Sequence, residues 1–123
     1  MIYLYLEVED ILKIHAFVIK KDGGMLGILD IGRIESAIAR SKYHLNSTLI
    51  EKASVIGEEL TKGHPFIDGN KRTAVMTISA FLKKNNYDLD FTKDEVTKMF
   101  CELAGCKKTK DDLRSWLFSN VIF

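Results

Sequence analysis

Apolar residues recur at helical spacing along almost the whole chain, and this pattern limits the fold more than any other feature. A side chain returns to one helix face every three or four positions, so each apolar stripe demands a partner stripe. Ile11, Ile14/His15 and Val18 form the first, closed by Gly23-Gly24. Asp30 is placed to cap a short second helix with Ile31, Ile34 and Ile38 inward. Thr48 and Glu51 have capping-box spacing, and Leu49, Ala53, Ile56 and Leu60 follow on one side up to Gly63. A helix from near Asn70 turns Ala74, Ile78, Phe81 and Leu82 inward and ends at Asn85-Asn86. Thr92 with Glu95 opens another, carrying Val96, Met99, Phe100 and Leu103, which Gly105 stops. Thr109 with Asp112 begins the last, with Leu113, Trp116 and Leu117. Outside the stripes lie the loop of residues 22–29 and a short extended candidate at residues 87–91. The expectation is all-α: one compact bundle of about six helices spanning residues 1–123.

Composition narrows the function. At 123 residues, with 46% hydrophobic and 28% charged residues, the chain suits one folded domain rather than a disordered segment. A net charge of +1, with acids and bases interspersed, excludes a general nucleic-acid or membrane binder, which needs a concentrated basic face. Lys83-Lys84 and Lys107-Lys108 fall at expected helix ends, where cations suit the dipole or stay solvated. Cys101 and Cys106 have no further cysteine and no histidine at zinc spacing, so they are expected to be buried or idle thiols in a reducing compartment. The opening MIYLYLEVED shows neither a basic leader nor a small-residue cleavage site, and no window reaches membrane-span length. The expected location is the cytoplasm.

Chemistry concentrates in GHPFIDGNKRTA, residues 63–74, which holds the only proline, Pro65. The stretch joins two apolar-faced helices that should pack as neighbours, so it delivers polar groups to the N-terminus of the second. Unpaired N–H groups and the aligned peptide dipoles favour an anion there. Gly69 lets the chain bend and a phosphate approach the backbone, and Lys71 and Arg72 add positive charge. The pattern points to a phosphate-binding nest. Asp68 has two readings: a helix cap, or a ligand for a magnesium ion that also bridges phosphates. His64 likewise is either a general base for a nearby hydroxyl or a cap for the preceding helix. Phe66 is expected to point inward and pin the loop, and Pro65 to stop the helix before it. The loop of residues 22–29 is either a flap that pairs with an extended peptide or a plain connector. His15 is expected as a packing histidine on the first stripe, and His44 as a solvated one.

His64-Pro65-Phe66-Ile67-Asp68-Gly69-Asn70-Lys71-Arg72 resembles the signature loop of the Fic/Doc superfamily, His-x-Phe-x-(Asp/Glu)-Gly/Ala-Asn-(Gly/Lys)-Arg, at every defined position. The similarity extends to Ile14-His15, Gly23-Gly24, Phe81-Leu82 and the pattern Asp30-x-Gly32-Arg33-x-Glu35-x-Ala37-Ile38, which resembles the Doc subfamily. The resemblance implies an all-α fold with the loop between two central helices, and transfer chemistry using ATP or another nucleoside triphosphate with Mg²⁺. It assigns His64 as catalytic base, Asp68 to the metal, and Gly69, Asn70, Lys71 and Arg72 to the phosphates, with Phe66 as loop anchor. Most Fic proteins have Gly at the position of Lys71 and a second arginine where this chain has Val75, and they transfer AMP. Lys71 fits the Doc pattern, in which the nucleotide lies reversed and the γ-phosphoryl group moves. By the same resemblance the target is a hydroxyl of a translation factor such as elongation factor Tu. A Fic-type AMP transferase acting on a protein hydroxyl is the enzymatic alternative, and a non-catalytic nucleotide- or partner-binding module the alternative of another class. The inhibitory pattern (Ser/Thr)-x-x-x-Glu-(Gly/Asn) fails at its last position in both Ser47…Glu51-Lys52 and Ser54…Glu58-Glu59, so a separate antitoxin is the expected partner.

Overall fold

A computed structural model describes residues 2–43 and 47–122; His44 lies outside them. Among the described residues six helices account for most of the chain: α1 (Val8–Asp22), α2 (Ile31–Tyr43), α3 (Leu49–Lys62), α4 (Asn70–Lys84), α5 (Lys93–Ala104) and α6 (Lys110–Asn120). Local chemistry sets most of their ends. Reciprocal capping boxes open α5 (Thr92 with Glu95) and α6 (Thr109 with Asp112), and at α1 Asp10 Oδ2 accepts the Glu7 N–H at 2.7 Å. Thr48 caps α3 by accepting the Glu51 N–H at 3.2 Å. Gly23, at φ 84°, ends α1 in a conformation that side chains resist.

The middle of the bundle is α3, which packs against α2, α4, α5 and α6 and has every residue from Lys52 to Gly57 buried. Gly57 makes the tight junction possible: a Cβ there would stand 2.6 Å from Ile78 Cδ1 and 2.8 Å from Leu113 Cδ2. The core joins Ile34 and Ala37 of α2, Ala53, Ile56 and Leu60 of α3, Ala74, Ile78 and Phe81 of α4, and Leu103, Leu113 and Leu117 beyond. Lys52 is buried and donates from Nζ to Ser41 O at 2.8 Å, so its cation serves the last turn of α2. Arg40 and Glu59 join α2 to α3 by an ion pair.

Three local expectations change. Ile31 is 44% exposed rather than inward, because the first turn of α2 rises at the rim beside the loop of residues 22–29; Ala37 and Ser41 complete the inner face instead. The extended candidate contributes only β1 (Asp88–Leu89), which pairs antiparallel with β2 (Val121–Ile122), Asp88 opposite Ile122 and Leu89 opposite Val121. Cys101 and Cys106 are free thiols, and both are exposed.

Candidate active site

Residues 63–69 leave α3 and enter α4 through backbone held on several sides. Gly63 closes α3, its N–H on Glu59 O at 2.9 Å. His64 follows at φ 47°, a left-handed conformation that costs an L-residue about 1–2 kcal/mol. Its ring is exposed and, among the described residues, hydrogen-bonds no carbonyl of α3, so it is available to a ligand rather than used as a cap. Pro65 O accepts the N–H groups of Leu29 (2.7 Å) and Asp30 (3.1 Å), and Ile67 N–H donates to Gly27 O at 3.1 Å. These bonds form an antiparallel bridge between Ile28 and Phe66, so residues 27–29 lie along the signature loop as a short flap. Backbone groups alternate in direction along an extended chain, which turns the N–H and C=O of Ile28 away from the loop.

Phe66 is buried, 1% exposed, and its ring stacks on His15 with centroids 3.7 Å apart and planes 4° from parallel. The Asn70 side chain grips the Phe66 backbone twice: Oδ1 accepts its N–H at 3.0 Å, and Nδ2 donates to its carbonyl at 2.9 Å. The amide of Asn70 therefore braces the loop, and only its backbone N–H is left at the mouth. His15, itself 4% exposed, places Nε2 2.8 Å from Asp68 O. Sequence reasoning put His15 on the packed stripe but did not find this bond, which links positions 53 apart.

Gly69 sits at φ 77°, and α4 begins with no side-chain cap. The first intrahelical bond runs from Thr73 N–H to Gly69 O, so the N–H groups of Asn70, Lys71 and Arg72 have no acceptor within the helix. Asp68 does not supply one. Its Oδ1 takes the Gly69 N–H at 2.9 Å and its Oδ2 the Met25 N–H at 3.3 Å, which decides against the capping alternative. Gly24 allows this approach, since a Cβ there would lie 2.7 Å from Asp68 Oδ2.

Two cavities meet at this helix end. A cleft of about 210 Å³ is lined by His64, Ile67, Asp68, Gly69, Asn70, Lys71 and Arg72, so the sequence-derived polar residues all face one space. A larger cavity of about 620 Å³ lies between α1, α4 and α5. Val75, Met76, Val96 and Phe100 give it an apolar lining, with Lys21, Asp22 and Lys93 beside them, and Lys71 and Arg72 line both spaces. Neither Lys71 nor Arg72 forms an ion pair among the described residues, and both are exposed.

The chemistry of Asp68 suits a magnesium ion. Each carboxylate oxygen accepts one N–H and keeps a lone-pair direction free, on an exposed side chain. Among the described residues no three His, Cys, Asp or Glu side chains gather as a metal cage. Mg²⁺ needs no such cage where phosphate and water oxygens complete its shell.

An all-α bundle that gathers a histidine, a carboxylate and an uncapped helix end on one loop defines a class of domain built around that loop. The family model described as Fic/DOC matches residues 5–82, and the chain belongs to the Fic/DOC family. It is 33% identical to Toxin Doc of Mycolicibacterium smegmatis over 107 residues, covering 81% of this chain and 80% of that one. It is also 35% identical to Protein kinase doc of Escherichia phage P1 over 81 residues, 63% of this chain and 64% of the relative.

Proposed function

We propose that this protein is a Doc-like toxin that transfers the γ-phosphoryl group of ATP, or of another nucleoside triphosphate, to a hydroxyl of a protein. The observation that carries the proposal is the uncapped first turn of α4 lying between His64 and the larger cavity. Phosphate oxygens meet the N–H groups of Asn70, Lys71 and Arg72, and the two cations neutralise them from the side. The nucleoside occupies the cavity of about 620 Å³, whose lining is mostly apolar. That direction leaves the terminal phosphate in the cleft beside His64.

The exposed His64 takes the proton of the target hydroxyl. The hydroxyl oxygen bonds to the γ-phosphorus while the bond to the β–γ bridging oxygen breaks, and a nucleoside diphosphate leaves. Asp68 would hold Mg²⁺, which supplies charge neutralisation on the phosphates when bound. Val75, which stands where most Fic proteins have a second arginine, gives the cavity an apolar wall in place of a phosphate grip. The phage relative is named a protein kinase, which agrees with phosphoryl rather than nucleotidyl transfer.

The target segment lies extended against the flap, hydrogen-bonding the outward N–H and C=O of Ile28. Met25, Leu26, Leu29 and Ile67 are exposed around that edge and offer apolar contact. A translation factor such as elongation factor Tu is the target class, a separate antitoxin the restraint, and the cytoplasm the site of action. Among the described residues no helix is long and apolar enough to cross a membrane.

The test uses the protein with Mg²⁺ and a translation extract, once with ATP labelled at the α-phosphate and once at the γ-phosphate. Label entering protein only from the γ position is expected. Label from the α position would make the protein an AMP transferase, and no label from either would leave a binding module. Replacing His64 with Ala should abolish labelling while ATP still binds.

A further inference from the structure

Nearly every peptide group of the signature loop is held, from three directions. The flap holds Pro65 and Ile67, and Asn70 holds Phe66. The peptide joining Asp68 to Gly69 is held from α1, by His15 Nε2 on the Asp68 carbonyl at 2.8 Å. A carbonyl only accepts, so the histidine must donate, and the proton of its ring is fixed on Nε2. The peptide is planar and trans, as all peptides of the described residues are, so its C=O and N–H point in opposite directions. Drawing the Asp68 carbonyl inward to a 4% exposed imidazole therefore drives the Gly69 N–H outward, where Asp68 Oδ1 accepts it at 2.9 Å beside the open N–H groups of the first turn of α4.

The ring is itself fixed. Phe66 stacks on one face, 3.7 Å between centroids, and Gly69 packs near its edge, a Cβ there lying 3.8 Å from His15 Cδ2. Imidazole orientation and peptide orientation are thus locked together.

We propose that His15 is a positioning residue for Mg·phosphate binding: its Nε2–H holds the Asp68–Gly69 peptide in the one orientation that keeps the Gly69 N–H on Asp68 Oδ1 and so turns that carboxylate to the open end of α4. The proposal rests on the reading of Asp68 and the α4 N-terminus given above. His15 touches no substrate and moves no proton; it acts through one carbonyl.

Two variants separate the donor from the packing. His15→Phe keeps an aromatic ring on Phe66 and loses the donor, whereas His15→Gln loses the ring and keeps an N–H at similar reach. The full chain, ¹⁵N-labelled, is titrated with Mg·ATP while the amide signals of Gly69 to Arg72 are followed. His15→Phe should bind roughly tenfold more weakly, the worth of one buried hydrogen bond, with the Gly69 amide displaced already in the free protein. His15→Gln should recover most of the affinity even if it melts earlier. Equal loss in both variants, or none in His15→Phe, would overturn the proposal and leave His15 as packing. A long-range ¹H–¹⁵N correlation on the unaltered protein checks the same bond independently of any variant: a proton on Nε2 is expected, and a bare Nε2 would overturn the proposal. If the unaltered protein showed no Mg·ATP shift at these amides while Nε2 carried its proton, the phosphate reading itself would fall, and the positioning role with it.

Discussion

Removing the side chain of Asn70 should cost far more than an exposed helix start ordinarily does. Its amide makes two hydrogen bonds, at 3.0 and 2.9 Å, to the N–H and C=O of Phe66, a residue only 1% exposed. Two neutral bonds are worth about 1 kcal/mol each, and a buried group left unpaired adds about 1–3 kcal/mol. Partial rescue by water at the loop surface keeps the sum for Asn70→Ala at about 2–4 kcal/mol. For a domain of this size that lowers the melting temperature by roughly 8–15 °C. Asn70→Asp is the sharper variant. It keeps the acceptor for the Phe66 N–H but sets a carboxylate oxygen against the Phe66 carbonyl. Its attraction to the helix N-terminus returns only about 0.3–1 kcal/mol, so it should be destabilised nearly as much. Thermal and urea denaturation followed by circular dichroism give the global cost, and amide exchange at Phe66 gives the local one. Either variant melting within about 2 °C of the parent, with Phe66 equally protected, would refute the reasoning.

His64→Ala removes an exposed ring with no hydrogen bond among the described residues, so the melting temperature should move by no more than about 2 °C. Labelling of the target protein should fall by about 10²–10⁴ in the same variant. Gly57→Ala gains about 1 kcal/mol of helix propensity but forces a Cβ against Ile78 and Leu113, at about 1–3 kcal/mol, so urea denaturation should show a net loss. Lys71→Gly should let label from the α-phosphate enter protein, where the proposed reaction of the parent uses the γ-phosphate. Asp112, held below the ordinary value of 3.8 first by the Thr109 backbone N–H and then by the Thr109 hydroxyl, stabilises the start of α6 above that pH, and the contribution disappears as pH falls through the lowered value. Asp112→Asn should therefore flatten the acid limb of the stability curve, measured as melting temperature between pH 7 and about pH 2.

The stripes of α3 and α4 were legible because both helices are covered along most of their inner faces, so burial follows periodicity from Leu49 to Leu60 and from Ala74 to Leu82. Ile31 broke the rule at a rim position, where the periodic pattern runs on but nothing lies above it. The pairing of Asp88–Leu89 with Val121–Ile122 had no local signal, since two residues cannot show a period and the partner comes from the far end of the sequence. Spacing alone brought His64, Asp68, Lys71 and Arg72 together, as the cleft does. It could not say where the Asp68 carboxylate would turn. That depends on the Met25 N–H, delivered by a flap whose path is set by Gly24 and Gly27, at φ 120° and 151°. Nor could it find the bonds that aim the loop, because they join side chains of Asn70 and His15 to main-chain atoms, which every sequence possesses.

If the target segment lies on the flap as proposed, the outward edge at Ile28 sets limits on how a partner could evade this protein. A partner gripped through its peptide groups offers atoms that no substitution removes, apart from proline. Escape by changing a neighbouring side chain is closed off, and what remains is to rigidify the segment so that it no longer extends. On that reading selectivity belongs to conformation: a hydroxyl in a helix would be refused, and the same hydroxyl on a chain able to unfurl admitted.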